Sequence, residues 1–147
     1  MIHFEGTRSF PLPVPEVAAK LSDAAFLIQA IPDAEVAQAT NDRAAWKLKP
    51  KLSFLSGSLD TIMEATTREA GKSVVFRIHT KGIGASSTVQ TRLEFSPSDD
   101  GTIVHWTGDL TEVTGLLKMV PRGLLQSTAA KVIEDVWTAV SAQLHKK

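Results

Sequence analysis

Histidine is the side chain best placed for acid/base or metal chemistry near neutral pH, and this chain has four: His3, His79, His105 and His145. No two stand at the i, i+4 helical spacing that would aim both imidazoles at one metal. His79 and His105 lie in segments that alternate apolar and polar residues, on the polar side of each, so exposure on the wet face of a sheet is the expectation. A register slip of one residue would turn both inward and make them the catalytic acid/base candidates, because a strand's side-chain period is two. Asp60 and Glu64 are four apart on one expected strand and share a face, again the wet one, which leaves a paired-carboxylate site as the lesser reading. Gly82-Ile83-Gly84 lacks the longer glycine spacing of a phosphate loop and reads as a hairpin connection. Ser56, Ser58, Ser86 and Ser87 lack the glycine-flanked elbow of a nucleophilic serine. There is no cysteine, hence no thiolate nucleophile, disulfide or cysteine metal site, and there is no tyrosine. Nothing in this inventory demands an enzyme, a metal or a cofactor.

Composition narrows the partners. The 147 residues are 43% hydrophobic and 22% charged, with 16 basic and 16 acidic side chains. A net charge of zero argues against general nucleic-acid binding, which needs a cationic excess. The longest apolar run, Ala24 to Ile28, has five residues, against about 20 for a membrane-spanning helix. The N-terminus lacks the charged and apolar regions of a secretory signal. A single cytoplasmic domain over residues 1–147 is the expectation, long enough to bury a substantial core.

The elements that must position any site follow from periodicity. Residues 2–10 alternate as a strand, closed by Pro11, Pro13 and Pro15, which cannot donate to a ladder. Pro15 suits the first turn of a helix whose apolar face is Val17, Ala18 and Leu21. Ser22 or Asp23 can cap a second short helix over 24–30, ended by Pro32. Six strands then follow, over 34–40, 43–49, 54–68, 73–80, 87–95 and 102–112. Asn41-Asp42 makes the first hairpin turn, Gly57 a bend, Ala70-Gly71-Lys72 another turn, and 97–101 the last. A long helix over 116–145 is interrupted early by Pro121 and Gly123. Its apolar positions Leu124, Thr128, Val132, Val136 and Val140 recur at helical spacing, with Leu125, Ala129, Ile133, Trp137 and Leu144 widening the stripe. Two short helices cannot make a core alone. The order predicts the α+β class, a curved seven-stranded antiparallel sheet around a long C-terminal helix.

Particular residues carry a resemblance. Phe10-Pro11-Leu12-Pro13-Val14-Pro15-Glu16-Val17 spans a strand end and helix start. Leu21-Ser22-Asp23 is followed by Ile31-Pro32-Asp33-Ala34-Glu35, and Gly101-Thr102, Val104, Trp106 and Gly108 mark the last strand. The chain resembles the helix-grip fold of the START and birch-pollen-allergen-like superfamily and, within it, the carbon monoxide dehydrogenase G-subunit family. Asp33 stands where that family usually has glycine, and the stretch 112–120 lacks its glycine-rich turn. The resemblance implies a non-enzymatic accessory or carrier role beside a molybdenum hydroxylase, with membrane association. A cyclase or hydrolase of the same superfamily using His79 or His105 is the alternative, and a protein-interaction module a third.

A sheet curved over a helix leaves space that side chains need not fill, suited to a hydrophobic small molecule such as a lipid, quinone or isoprenoid. The inward sheet residues expected are Trp46, Leu48, Leu55, Leu59, Met63, Val74, Phe76, Ile78, Val89, Leu93, Val104, Trp106 and Leu110. Leu124, Leu125, Ala129, Val132, Ile133 and Val136 face them from the helix. Among these, Met63, Phe76, Ile78, Leu93, Val104, Trp106, Leu125, Ala129 and Ile133 are the candidate ligand-binding residues. Polar atoms on that surface are few: Thr61, Thr91, Thr128 and two indole nitrogens. A solid core of the same side chains is the competing reading. Leu116, Leu117, Met119 and Val120, with Lys118 and Arg122 beside them, form the candidate cavity mouth and suit transient contact with a membrane surface. The cluster Arg43, Lys47, Lys49 and Lys51 reads as a solvated outer face, with an acidic partner or an anionic lipid surface as the alternative.

Overall fold

The computed structural model describes residues 2–31, 34–48, 58–82 and 84–144, with Leu116 and Leu117 entering through their backbone alone. The expectations placed on Pro32, Asp33, Lys49, Lys51, Leu55, Gly57, Ile83, His145 and the Leu116 and Leu117 side chains lie outside the described residues. In chain order the elements are β1 (Ile2–Phe10), α1 (Val14–Leu21), α2 (Ala24–Ile28), β2 (Glu35–Ala39), β3 (Arg43–Leu48), β4 (Leu59–Glu69), β5 (Ser73–Gly82), β6 (Ala85–Ser98) and β7 (Gly101–Gly115). A 3-10 turn, Leu116–Met119, leads to α3 (Arg122–Leu144). The strands form one antiparallel sheet in the order β1-β7-β6-β5-β4-β3-β2. This is the curved sheet and C-terminal helix of a helix-grip fold.

Local chemistry sets the joints. Pro15 sits in the first turn of α1, where a missing N–H costs nothing. The Asp23 carboxylate accepts from the Ala25 N–H at 2.9 Å and caps α2. The hairpin from β2 to β3 turns on Asn41-Asp42, with Thr40 N–H donating to Arg43 O at 2.8 Å. Arg68 pins that turn to the α1–α2 junction: Nη1 donates to Asp42 at 2.6 Å, and Nη2 to Ser22 O at 2.7 Å and Asn41 O at 3.1 Å. Thr102, fully buried, donates from Oγ1 to Leu12 O at 2.7 Å and fixes the exit from β1.

One turn differs from expectation. Pro97 lies within β6 opposite Thr102 and not in a turn. Phe95 N–H donates to Lys72 O on the β5 side. Two residues on, the Pro97 nitrogen points the same way, past the end of β5 at Ser73. A residue without an N–H is tolerated there because no ladder partner awaits it.

The core is graded along the sheet. At one end Phe10, Val17, Leu21, Ala24, Val74, Phe76, Leu93, Phe95 and Val104 pack with Trp137, Val140 and Leu144. Toward the other end Ile78, Val89, Thr91 and Leu110 are only half-buried. The helix shows the same gradient, since its buried side chains are Trp137, Val140 and Leu144, all in the C-terminal half. Leu124 and Val132, expected to face inward, are 43% and 53% exposed. At about 100° per residue both lie about 140° around the helix from Trp137, and the bulk of that indole decides which side meets the sheet. The contact stripe is therefore Ile133, Trp137, Val140 and Leu144.

Candidate functional site

Along β1 the inward face is Ile2, Phe4, Gly6, Arg8 and Phe10, set by pairing with Leu110, Gly108, Trp106, Val104 and Thr102 of β7. Gly6 has no side chain, and the Trp106 indole takes that place: a Cβ at Gly6 would sit 2.9 Å from Trp106 Cζ2. The indole is tilted against Trp137, ring centres 6.1 Å apart. Arg8, the next inward residue, ion-pairs with Glu134 of α3 at 2.6 Å and lies over the Trp137 ring.

Beside Trp106, β1 and α3 diverge enough to leave a solvent-open cleft of about 370 Å³. Its lining is His3, Phe4, Glu5, Trp106, Ala130, Ile133 and Glu134. The apolar floor is Phe4, Trp106, Ala130 and Ile133, with two carboxylates and an imidazole at the rim. Among the described residues, Trp106 Nε1 is buried and has no hydrogen-bond partner. Farther along the concave face, Thr61 Oγ1 and Thr80 Oγ1 lie 3.1 Å apart and hydrogen-bond each other. A larger open groove, about 790 Å³, runs between α1 and the β4–β5 turn, past Val14, Ala18, Arg68, Lys72 and Phe95. It lies outside the grip of sheet and helix, and its Arg68 is spent on holding the hairpin.

Of the nine residues expected to bind ligand, four lie in the core, two line the cleft and three are half-buried elsewhere. Met63, Phe76, Leu93 and Val104 are buried in the packed core. Ile78, Trp106 and Ile133 are half-buried at its margin, and Leu125 and Ala129 are half-buried on α3. Trp106 and Ile133 are the two that line the cleft. Phe4, Ala130 and Glu134, with His3 and Glu5 at the rim, complete it and are not among the residues expected to bind ligand. The signal for Phe4 was present in the Ile2-Phe4-Gly6-Arg8-Phe10 alternation, whose glycine leaves room for a neighbouring ring. Ala130 and Glu134 have no such signal, because their proximity depends on how α3 is rotated. At the expected mouth, Met119 is 80% exposed and Val120 half-buried.

His79 and His105 stand on the outer, convex face of the sheet, the side that the alternation of their strands assigns them, and not on the side of the cleft. His79 is half-buried there, with Nδ1 2.9 Å from Thr88 Oγ1. His105 is flanked by Glu5 and Glu94, each at 3.9 Å. The register of β5 against β6 pairs Phe76 and Ile78 with Thr91 and Val89 on the concave side, which turns His79 away from it. His3 hydrogen-bonds Asp109 and lies 3.5 Å from Glu5. The Asp109 carboxylate first, and Glu5 second, raise its pKa above the ordinary 6.5 by stabilising the imidazolium. Asp60 and Glu64 are exposed, and Glu64 faces Arg43 at 3.8 Å. Among the described residues no group of three His, Asp or Glu is arranged to hold a metal ion. Among the same residues no helix is long and apolar enough to cross a membrane.

A family model for the G-subunit of carbon monoxide dehydrogenase (CoxG) matches residues 6–145. A search of curated proteins finds no match. Among solved structures, a conserved protein from Geobacillus kaustophilus superposes with a TM-score of 0.84 at 19% identity, covering 97% of this chain and 95% of that one. A protein from Chromobacterium violaceum gives 0.69 at 10% identity, with 99% of each chain covered. One from Rhizobium loti gives 0.65 at 18%, with 97% of each covered. At these identities the likeness shows the fold alone.

Proposed function

The chain belongs to the carbon monoxide dehydrogenase G-subunit (CoxG) family, and from that premise we propose that it binds and carries a hydrophobic small molecule, of lipid, quinone or isoprenoid type, as an accessory protein to a molybdenum hydroxylase. The observation that carries this reading is the cleft between β1 and α3, whose floor is Phe4, Trp106, Ala130 and Ile133 and whose rim is His3, Glu5 and Glu134. An apolar floor selects the apolar part of a ligand chiefly by shape. The half-buried residues that continue along the concave face, Ile78, Val89 and Leu110, offer further apolar surface to a ligand longer than the cleft. Delivery would use the exposed turn at the start of α3, where Met119 and Leu124 protrude beside Lys118; apolar tips with flanking cations suit brief contact with an anionic membrane.

Displacement of a fluorescent fatty-acid probe tests the binding step. The parent chain takes up the probe and releases it to long-chain lipids or quinones, whereas Ile133→Trp, which fills the cleft, takes up several-fold less. Absence of probe uptake by the parent chain at micromolar concentration would falsify the carrier reading.

A further inference from the structure

Two glycines face inward beside the cleft, and a neighbour fills the space over only one of them. At Gly6 the Trp106 indole takes the place of a side chain, with three of its atoms within 3.0 Å of where a Cβ would stand. Gly108 is buried, yet among the described residues a Cβ there would meet a single atom within 4 Å, Thr91 Oγ1 at 3.9 Å. Its φ lies outside the left-handed region that favours glycine. It pairs in register with Phe4 of β1 and Thr91 of β6, and the bulge between β6 and β7 falls beyond it, at Thr88 and Val89. A glycine inside a strand loses the packing of a side chain, and a bulge, a bend or the close approach of another molecule is the usual reason to find one.

Cross-strand partners share a face of the sheet, as do residues two apart along a strand. Gly108 therefore lies between Phe4 and Trp106, which floor the cleft, and Thr91, Val89 and Leu110, half-buried farther along the concave face. Two strand spacings, about 10 Å, separate Phe4 from Thr91, and bare backbone spans the interval. A side chain at 108 would stand in that passage.

We propose that the passage over Gly108 carries the ligand's tail: a flexible chain enters by the cleft beside Phe4 and Trp106 and continues over Gly108 onto Thr91, Val89 and Leu110. Gly108 is then the residue that sets how long a chain the protein prefers. Short ligands stop in the cleft and do not reach it. The inference rests on the reading of the cleft as an apolar-ligand site, and the experiment keeps the two apart.

1-Octanol and 1-tetradecanol are compared on the full chain, on Gly108→Ala and on Gly108→Val, by competition with a fluorescent fatty-acid probe. Each further methylene that becomes buried strengthens binding about fourfold, so the parent chain should hold tetradecanol far more tightly than octanol. That ratio should fall about tenfold or more in Gly108→Val, and by less in Gly108→Ala, with octanol affinity unchanged in both. The melting temperature of Gly108→Ala should hold or rise, because alanine has fewer unfolded conformations to lose. Nitrogen-15 NMR on the parent chain gives a readout that does not depend on a variant folding: stearate spin-labelled near its methyl end should broaden the amide resonances of Gly108, Thr91 and Val89. An unchanged ratio in Gly108→Val, a lowered melting temperature for Gly108→Ala, or Gly108 and Thr91 resonances that stay sharp while the labelled stearate binds overturns the inference and leaves the carrier reading standing. Failure of the parent chain to bind either alcohol overturns both.

Discussion

Arg8 of β1 reaches across the concave face to Glu134 of α3, Nη2 to Oε2 at 2.6 Å, and its guanidinium lies 5.9 Å from the centre of the Trp137 ring. The pair joins the first strand to the last helix where the packed core ends and the cleft begins. The Arg8 side chain is 28% exposed and that of Glu134 65%, so solvent screens much of their attraction. Removing the charge with Glu134→Gln should lower stability by less than about 1 kcal/mol. Arg8→Ala should cost more, because it also strips the arginine stem from the indole face. Urea denaturation of both variants checks the order; a larger loss for Glu134→Gln would show that charge, not packing, holds the joint.

Trp137 is the anchor of α3. It is 8% exposed and meets Phe10 and Trp106 at ring-centre distances of 6.3 and 6.1 Å. Trp137→Ala should cost about 3–5 kcal/mol, as buried aromatic truncations do. Val132→Ala, on the solvent side of the same helix, should stay within about 0.5 kcal/mol. Thermal melts of the two variants measure the contrast, and comparable losses would mean that the helix is rotated from the orientation described.

The pattern of the sequence and the described structure agree where one residue's neighbours decide its state. The alternation Val74-Phe76-Ile78 and the dipeptide Asn41-Asp42 fix a strand face and a turn without reference to distant parts. The helix is harder to read. Two overlapping apolar stripes run along it, through Leu124 and Val132 and through Ile133 and Trp137, and local spacing does not rank them. Docking against Phe10 and Trp106 does. The cleft was half legible for the same reason. Trp106 and Ile133 lie on periodic apolar faces, whereas Ala130 and Glu134 gain meaning only once α3 has a rotation. Phe4 was readable from β1, whose inward face ends in the fully packed Phe10.

His3 supplies a pH dependence with a definite sign. Asp109 and Glu5 favour its charged form, so its folded pKa lies above the unfolded value of 6.5. The folded state therefore holds the proton more tightly than the unfolded chain. The stabilisation is fully present below the unfolded pKa and is lost as pH rises through the folded one. Proton NMR titration of the imidazole should give a midpoint above 6.5, and Asp109→Asn should move it down. A midpoint unmoved by Asp109→Asn would remove that carboxylate as the main cause.

The turn that leads into α3 should matter for delivery and not for folding. Met119 is 80% exposed and Leu124 43%, so neither contributes much burial, and Asp at both positions should leave the thermal melt nearly unchanged. The proline at 121 and the glycine at 123 leave this part of the chain with fewer backbone constraints from regular helix than the segment around Trp137. Such a segment is suited to yielding when its apolar side chains find another apolar phase. Lys118 adds about 1 kcal/mol of attraction near an anionic surface, enough to bias brief encounters and too little to anchor the protein. Met119→Asp combined with Leu124→Asp should slow transfer of a fluorescent fatty acid to phosphatidylserine vesicles several-fold while leaving probe affinity in solution intact. Transfer to neutral phosphatidylcholine vesicles should be slower than to anionic ones for the parent chain. Equal transfer rates for variant and parent, on both vesicle types, would return this turn to the role of a simple connection between β7 and α3.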